Sequence, residues 1–134
     1  MKKQEKIQER ALKFLLDDHK SDYEHLLLAA GKTTLAIRKL KVLATEIFKT
    51  INDLNPSFMK EIFELNTRRD NQANKLIVQT QISKRYGTNT LRSLGPKIWN
   101  CLPNDIRTST SLFSFKELIK TWSGPQCKCN KCKF

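Results

Sequence analysis

Three thiols near the end of the chain carry the most specific chemistry the residues offer. Cys127, Cys129 and Cys132 form C-x-C-x-x-C. Thiolates at this spacing can wrap one zinc ion, although a structural zinc site takes four ligands. Cys101 completes the set if the last helix folds back towards it, and a partner chain could equally supply the fourth ligand. The competing reading is a basic tail with three reactive thiols. No other cofactor is expected.

A second constellation mixes cations with aromatic rings. Lys84-Arg85-Tyr86 is followed by Arg92, Lys97 and Trp99. Cations in such a stretch can hold phosphates while a ring stacks an unpaired base. Trp99, preceded by Ile98 and set between helix breakers, reads better as a buried anchor. Tyr86 suits either role. Arg68, Arg69, Arg107, Lys116 and Lys120 add candidate phosphate contacts. Catalysis finds less to work with. His19 and His25 are the only histidines, and neither sits in a pattern suggesting a Cys–His pair or a metal triad. Asp17-Asp18 reads as a solvated helix end. Gly31-Lys32-Thr33 lacks the first glycine of a phosphate loop, and the C-terminal half has too few acids for two-metal chemistry. The expectation is a non-enzyme without a small-molecule substrate.

Charge points to the partner. The formal net charge of the 134 residues is +12. Residues 1–64 hold 12 Lys/Arg against 10 Asp/Glu, whereas residues 65–134 hold 13 against three (Asp70, Asp105 and Glu117), so the latter carry 13 − 3 = +10. Such a half suits a polyanion, because each neutralised phosphate releases condensed counterions. A purely solubilising surface does not require one sign on one half. No apolar run approaches a membrane span, and no apolar stretch follows the charged start, so no signal peptide is expected. An intracellular site, cytoplasmic or nuclear, and reduced thiols follow as expectations.

The elements that position these groups read as mostly α. Gly and Pro are scarce, at four each. Ile7, Ala11, Phe14 and Leu15 share one face of a helix over residues 3–18, widened by Leu12 and Leu16. Ser21 and Glu24 fit a capping box for a second helix, which Gly31 stops. The third and longest runs from about Thr34 to Asn52, with Leu40, Leu43, Ala44, Ile47 and Ile51 at helical spacing. Asn55-Pro56 is read as the start of a fourth. Residues 66–75 are a polar linker. Leu76, Val78, Thr80 and Ile82 alternate like a strand, with Tyr86-Gly87 as a turn and Thr88–Leu94 as its partner. Gly95-Pro96 is read as opening a short helix with Ile98, Trp99 and Leu102, and a last helix runs from Thr110 or Ser111 to Trp122. The predicted fold is an antiparallel bundle of about four helices (1–65), the linker, a small basic α+β segment with a hairpin and two helices (76–123), and a Cys/Lys tail (124–134).

The ordered segments also resemble a known family. Lys6–Phe14 with Asp17-Asp18, Leu40–Asn52, Asn55–Met59, Arg85-Tyr86-Gly87, Leu94–Pro103 with Ile106-Arg107, Phe115-Lys116 and Trp122–Cys129 resemble the region behind the polymerase domain of non-LTR, jockey-like retrotransposon reverse transcriptases. The resemblance implies a non-catalytic C-terminal part of an RNA-directed DNA polymerase polyprotein. Its partners would be template RNA or target DNA and an upstream reverse transcriptase domain. The alternative is that the helices of residues 1–65 dock on that domain without nucleic-acid binding.

Overall fold

Three of the helices end in the same backbone device. In a computed structural model of the chain, residues 3–65, 74–79 and 90–125 are described. Helix α1 spans Lys3–Leu16, α2 Tyr23–Ala29 and α3 Leu35–Ile51. The residue that stops each one has a positive φ: Asp17 at 50°, Gly31 at 60° and Asp53 at 58°. The next amide then reaches back five residues, from Asp18 to Lys13, Lys32 to Leu27 and Leu54 to Lys49. This satisfies carbonyls that the helix end leaves open. Aspartate tolerates the left-handed region better than most side chains, so two of the three stops need no glycine.

Helix starts are less uniform. Thr34 caps α3 by accepting from the amide of Ile37 at 3.3 Å. The capping box expected at Ser21 does not form. Asp22 takes the N-cap position without a side-chain bond. The carboxylate of Asp18 instead accepts from the amides of Lys20 and Ser21 and shapes the turn. The helix expected at Asn55-Pro56 is a 3-10 turn over Ser57–Ile62. Pro56 takes the N-cap position, and the amide nitrogen of Asn55 donates back to Thr50 Oγ1 at 3.0 Å and to the Glu46 carbonyl at 3.3 Å.

The expected hairpin is corrected where it can be seen. No strand occurs among the described residues. Leu65 and Leu76 form a single antiparallel bridge. The other edge of Leu76 is met by Asn100, whose Oδ1 accepts from its amide at 2.9 Å and whose Nδ2 donates to its carbonyl at 2.8 Å. One carboxamide thus does what a neighbouring strand would do. The proposed turn at Tyr86-Gly87 lies outside the described residues. Leu91–Leu94, expected to be extended, are the first turn of α4, which spans Leu91–Asn100. Gly95-Pro96 therefore sits inside that helix rather than opening it. A Cβ on Gly95 would stand 2.7 Å from Cε1 of Phe63, so only glycine lets that ring lie on the helix. Pro96 removes one backbone donor, and the carbonyl it leaves open belongs to the exposed Arg92. A four-residue helix α5 (Asn104–Arg107) and α6 (Leu112–Thr121) follow. Ser111 caps α6 by accepting from Ser114.

Two compact units result, residues 1–39 and 40–134. The first has a core of Leu12, Tyr23, Leu26 and Leu27, with Ala30 against it. The second gathers Ala44, Ile47 and Phe48 of α3 with Phe63, Leu76, Ile98, Trp99, Leu102, Ile106, Phe115, Ile119 and Trp122. Most of α3 thus shares a core with α4–α6, so the grouping of residues 1–65 does not coincide with the compact units.

Candidate anion site on the basic unit

Of the predicted phosphate contacts, five can be placed. Arg92 is exposed in the first turn of α4, and Lys97 is half-exposed in its last turn. Neither makes an ion pair among the described residues. Lys116 and Lys120 are exposed on α6. Lys120 is paired with Glu117 at 2.6 Å. Glu46 has its carboxyl held below the usual range, first by the hydrogen bond from Lys49, against an opposing effect of burial, then by Asn55. Lys116 contributes to this through space, so its charge is partly answered by Glu46. Arg68, Arg69, Lys84, Arg85 and Tyr86 lie outside the described residues, as do Cys127, Cys129 and Cys132.

Trp99 is a core residue, as its setting suggested. It is 1% exposed, lies 6.1 Å from the Phe115 ring, and donates from Nε1 to the Asn74 carbonyl at 2.6 Å. No face of it is available to stack a base. Cys101 caps the end of α4 and is partly buried. Among the described residues no three metal-ligating side chains gather, and no helix is long and apolar enough to cross a membrane.

Arg107 differs from the other cations. It is the last residue of α5 and is partly buried. Its Nε and Nη1 are closed to solvent and have no hydrogen-bond partner among the described residues. Burial lowers its pKa, yet a guanidinium remains charged throughout the physiological range. A buried donor without an acceptor costs about 1–3 kcal/mol, and more when charged. Arg107 borders a half-open cavity of about 130 Å³, lined also by Ile51, Asn52, Leu65, Asn74, Trp99, Thr108 and Ser109.

The formal charge of that cavity is one-sided. Its described lining has one cation, two carboxamides and no carboxylate. Asn52 uses its amide nitrogen on the Phe48 carbonyl, which leaves one N–H over. The Thr108 and Ser109 hydroxyls donate to carbonyls within α5, so towards the cavity they only accept. The nearest acid along the chain from Asn52, Asp53, is tied to Lys60 at 2.8 Å. Among the described lining residues the only formal charge is therefore the positive one of Arg107.

Sequence reasoning named Arg107 as a cation but not as a buried one. It missed Asn52 and Asn74, which carried no signal beyond a helix end and a polar linker. It also missed Lys41, whose Nζ donates to the Lys120 carbonyl at 2.7 Å and whose pKa is lowered by burial. That lysine caps the end of α6.

No family model, curated protein or solved structure matches the chain. That finding overturns the reverse-transcriptase and retrotransposon labels drawn from the ordered segments.

Proposed function

We propose that the basic unit, residues 40–134, contacts RNA or DNA without catalysing a reaction. The observation that supports this reading best is Arg107, a partly buried cation whose Nε and Nη1 are closed to solvent and without an acceptor, beside a cavity with no acid among the described residues that line it. Arg92, exposed, and Lys97, half-exposed, add charge on α4 that no ion pair among the described residues answers. The excess of cations over acids in residues 65–134 supplies the long-range attraction. Fluorescence anisotropy of the full chain with a labelled single-stranded RNA tests it. With phosphate contacts from Arg92, Lys97, Arg107 and Lys116 alone, the plot of log affinity against log salt falls with a slope of about −3. A flat plot, or no binding at low salt, overturns the reading.

A second reading is favoured by α1. Ile7, Phe14 and Leu15 are 67%, 86% and 75% exposed, whereas only Leu12 of this helix is buried. Ala11 joins them on that face, and the exposed Lys3, Lys6 and Arg10 border it. This face fits an apolar groove with an acidic rim on a partner protein; a second copy of so basic a chain would be repelled. Dye binding to apolar surface reports it. The Ile7→Ser/Phe14→Ser double variant keeps its helicity and loses most of the 8-anilinonaphthalene-1-sulfonate fluorescence. Undiminished fluorescence counts against the reading.

A further inference from the structure

We propose that the cavity beside Arg107 binds one phosphate group, the terminal phosphate of a nucleic-acid strand, with Arg107 as its anchor. The proposal deepens the nucleic-acid reading and rests on it for the source of the phosphate.

Shape limits the ligand. A cavity of about 130 Å³ compares with the roughly 150 Å³ engineered cavity that admits benzene, six heavy atoms. Phosphate has five. A whole nucleotide does not fit. An internal phosphodiester carries a sugar on each side, whereas a terminal phosphate carries one and can enter a half-open cavity end-on.

Chemistry limits it further. The guanidinium presents a planar fork of donors that matches two oxygens of a phosphate. Nε and Nη1 both lack an acceptor among the described residues, so the guanidinium beside the cavity has donor capacity to spare. The free amide donors of Asn52 and Asn74 then remain for the other oxygens. A terminal phosphate bears up to two charges near neutral pH, and the described lining of the site sets no carboxylate against them. The walls of Ile51, Leu65 and the Trp99 edge exclude water from one side, which strengthens a charged hydrogen bond. The four-residue helix α5 contributes nothing through its own N-terminus; the side chain at its end is what faces the ligand.

The test uses the full chain and three probes at constant ionic strength: inorganic phosphate, and one RNA oligonucleotide with either a 5′-phosphate or a 5′-hydroxyl. Nuclear magnetic resonance follows the Nε–H signal of Arg107, assigned by its loss in Arg107→Lys. Inorganic phosphate shifts that signal saturably. At a hundredfold excess over Kd it raises Tm on the order of 10 °C. The 5′-phosphorylated oligonucleotide binds at least tenfold tighter than its 5′-hydroxyl twin. Arg107→Met abolishes both the Tm rise and the preference, and Arg107→Lys restores little of either because the fork is lost. An unmoved Nε–H signal in the unsubstituted protein overturns the proposal whatever the variants do. Salt-dependent binding of both oligonucleotides with equal affinity, undiminished in Arg107→Met, also overturns it while leaving the nucleic-acid reading standing. A saturable phosphate shift with neither oligonucleotide bound removes the nucleic-acid source and keeps a phosphate site.

Discussion

Phe115→Ala lowers the stability of residues 40–134 by about 3–5 kcal/mol and leaves a substantial fraction unfolded at room temperature. Phe115 is fully buried and lies 4.4 Å from the Phe48 ring at an interplanar angle of 27°. It also stacks near Trp99, so one residue of α6 joins α3 to α4. Removing it deletes both ring contacts, each worth about 0.5–1.5 kcal/mol beyond area burial, and opens a void between three helices. Small domains hold only about 5–15 kcal/mol in total, so this loss is a large part of the whole. Urea unfolding followed by near-ultraviolet dichroism of the tryptophans measures it, with a midpoint lowered by about 2 M. Phe115→Leu, which keeps much of the volume, falls between the two. A midpoint within error of the unsubstituted chain would show that the ring stack does not hold the core. The Arg107 cavity depends on the same packing, because Trp99 forms both its wall and the partner of Phe115.

The parts of the fold that were legible in the residues are those where local pattern and tertiary packing agree. Helix α3 reads correctly because Ala44 and Ile47 fall at helical spacing and are fully buried, with Leu40, Leu43 and Ile51 packed alongside. The last helix reads correctly because Ser111 is a capping residue and Phe115 and Ile119 sit on one face. The failures have a common cause, which is a local signal overruled by a distant side chain. Gly95-Pro96 looks like a helix start because proline favours the first position. Gly95 is instead kept small by Phe63, more than thirty residues earlier. Leu91 and Leu94 look extended when read with Thr88, but both pack on the main core from one turn of α4. Leu76 looks like a strand residue, and its backbone does seek strand partners. It finds one bridge and one asparagine side chain.

The candidate site was legible as charge and illegible as geometry. Composition marks Arg107 as one of 13 cations in residues 65–134. Nothing in Ile106-Arg107-Thr108 says that two nitrogens of this side chain are closed to solvent without an acceptor. Burial follows from α5, four residues held against α6 by Ile106, which is 5% exposed. Asn52 and Asn74 reach the same cavity from segments far apart in the chain, and no periodicity links them. The aromatic reading of Trp99 divides the same way. Its setting between breakers predicts burial, and the ring is buried, while the cations around it stay at the surface or in the cavity.

Leu26→Ala melts residues 1–39 and leaves the tryptophan signals of residues 40–134 in place. Leu26 is fully buried in a core of four side chains. Truncating a buried leucine costs about 2–5 kcal/mol, and units near 40 residues rarely hold together on apolar burial alone. The supporting polar contacts are few. Tyr23 donates to Gln8 Oε1 at 2.9 Å, and Lys13 pairs with Glu9 at 2.8 Å. A partly exposed pair of that kind contributes under about 1 kcal/mol. The larger apolar surface of α1 does not help, because Ile7, Phe14 and Leu15 face outwards. Sequence periodicity placed that stripe on one face of the helix, but α2 has only seven residues and offers Tyr23, Leu26 and Leu27 to a single seam. The seam meets α1 at Leu12, leaving the broader stripe uncovered. Hydrogen exchange measures the outcome: amides of α1 and α2 lose protection in Leu26→Ala, while those of α4 and α6 keep it. Loss of protection in both units together would mean that they unfold as one. Retained protection in α1 would mean that a partner for its outer face, a second copy included, already holds it in solution. An added partner of the acidic, apolar kind proposed for that face restores protection to α1 in the variant, and so the smaller unit would gain its stability from what it binds.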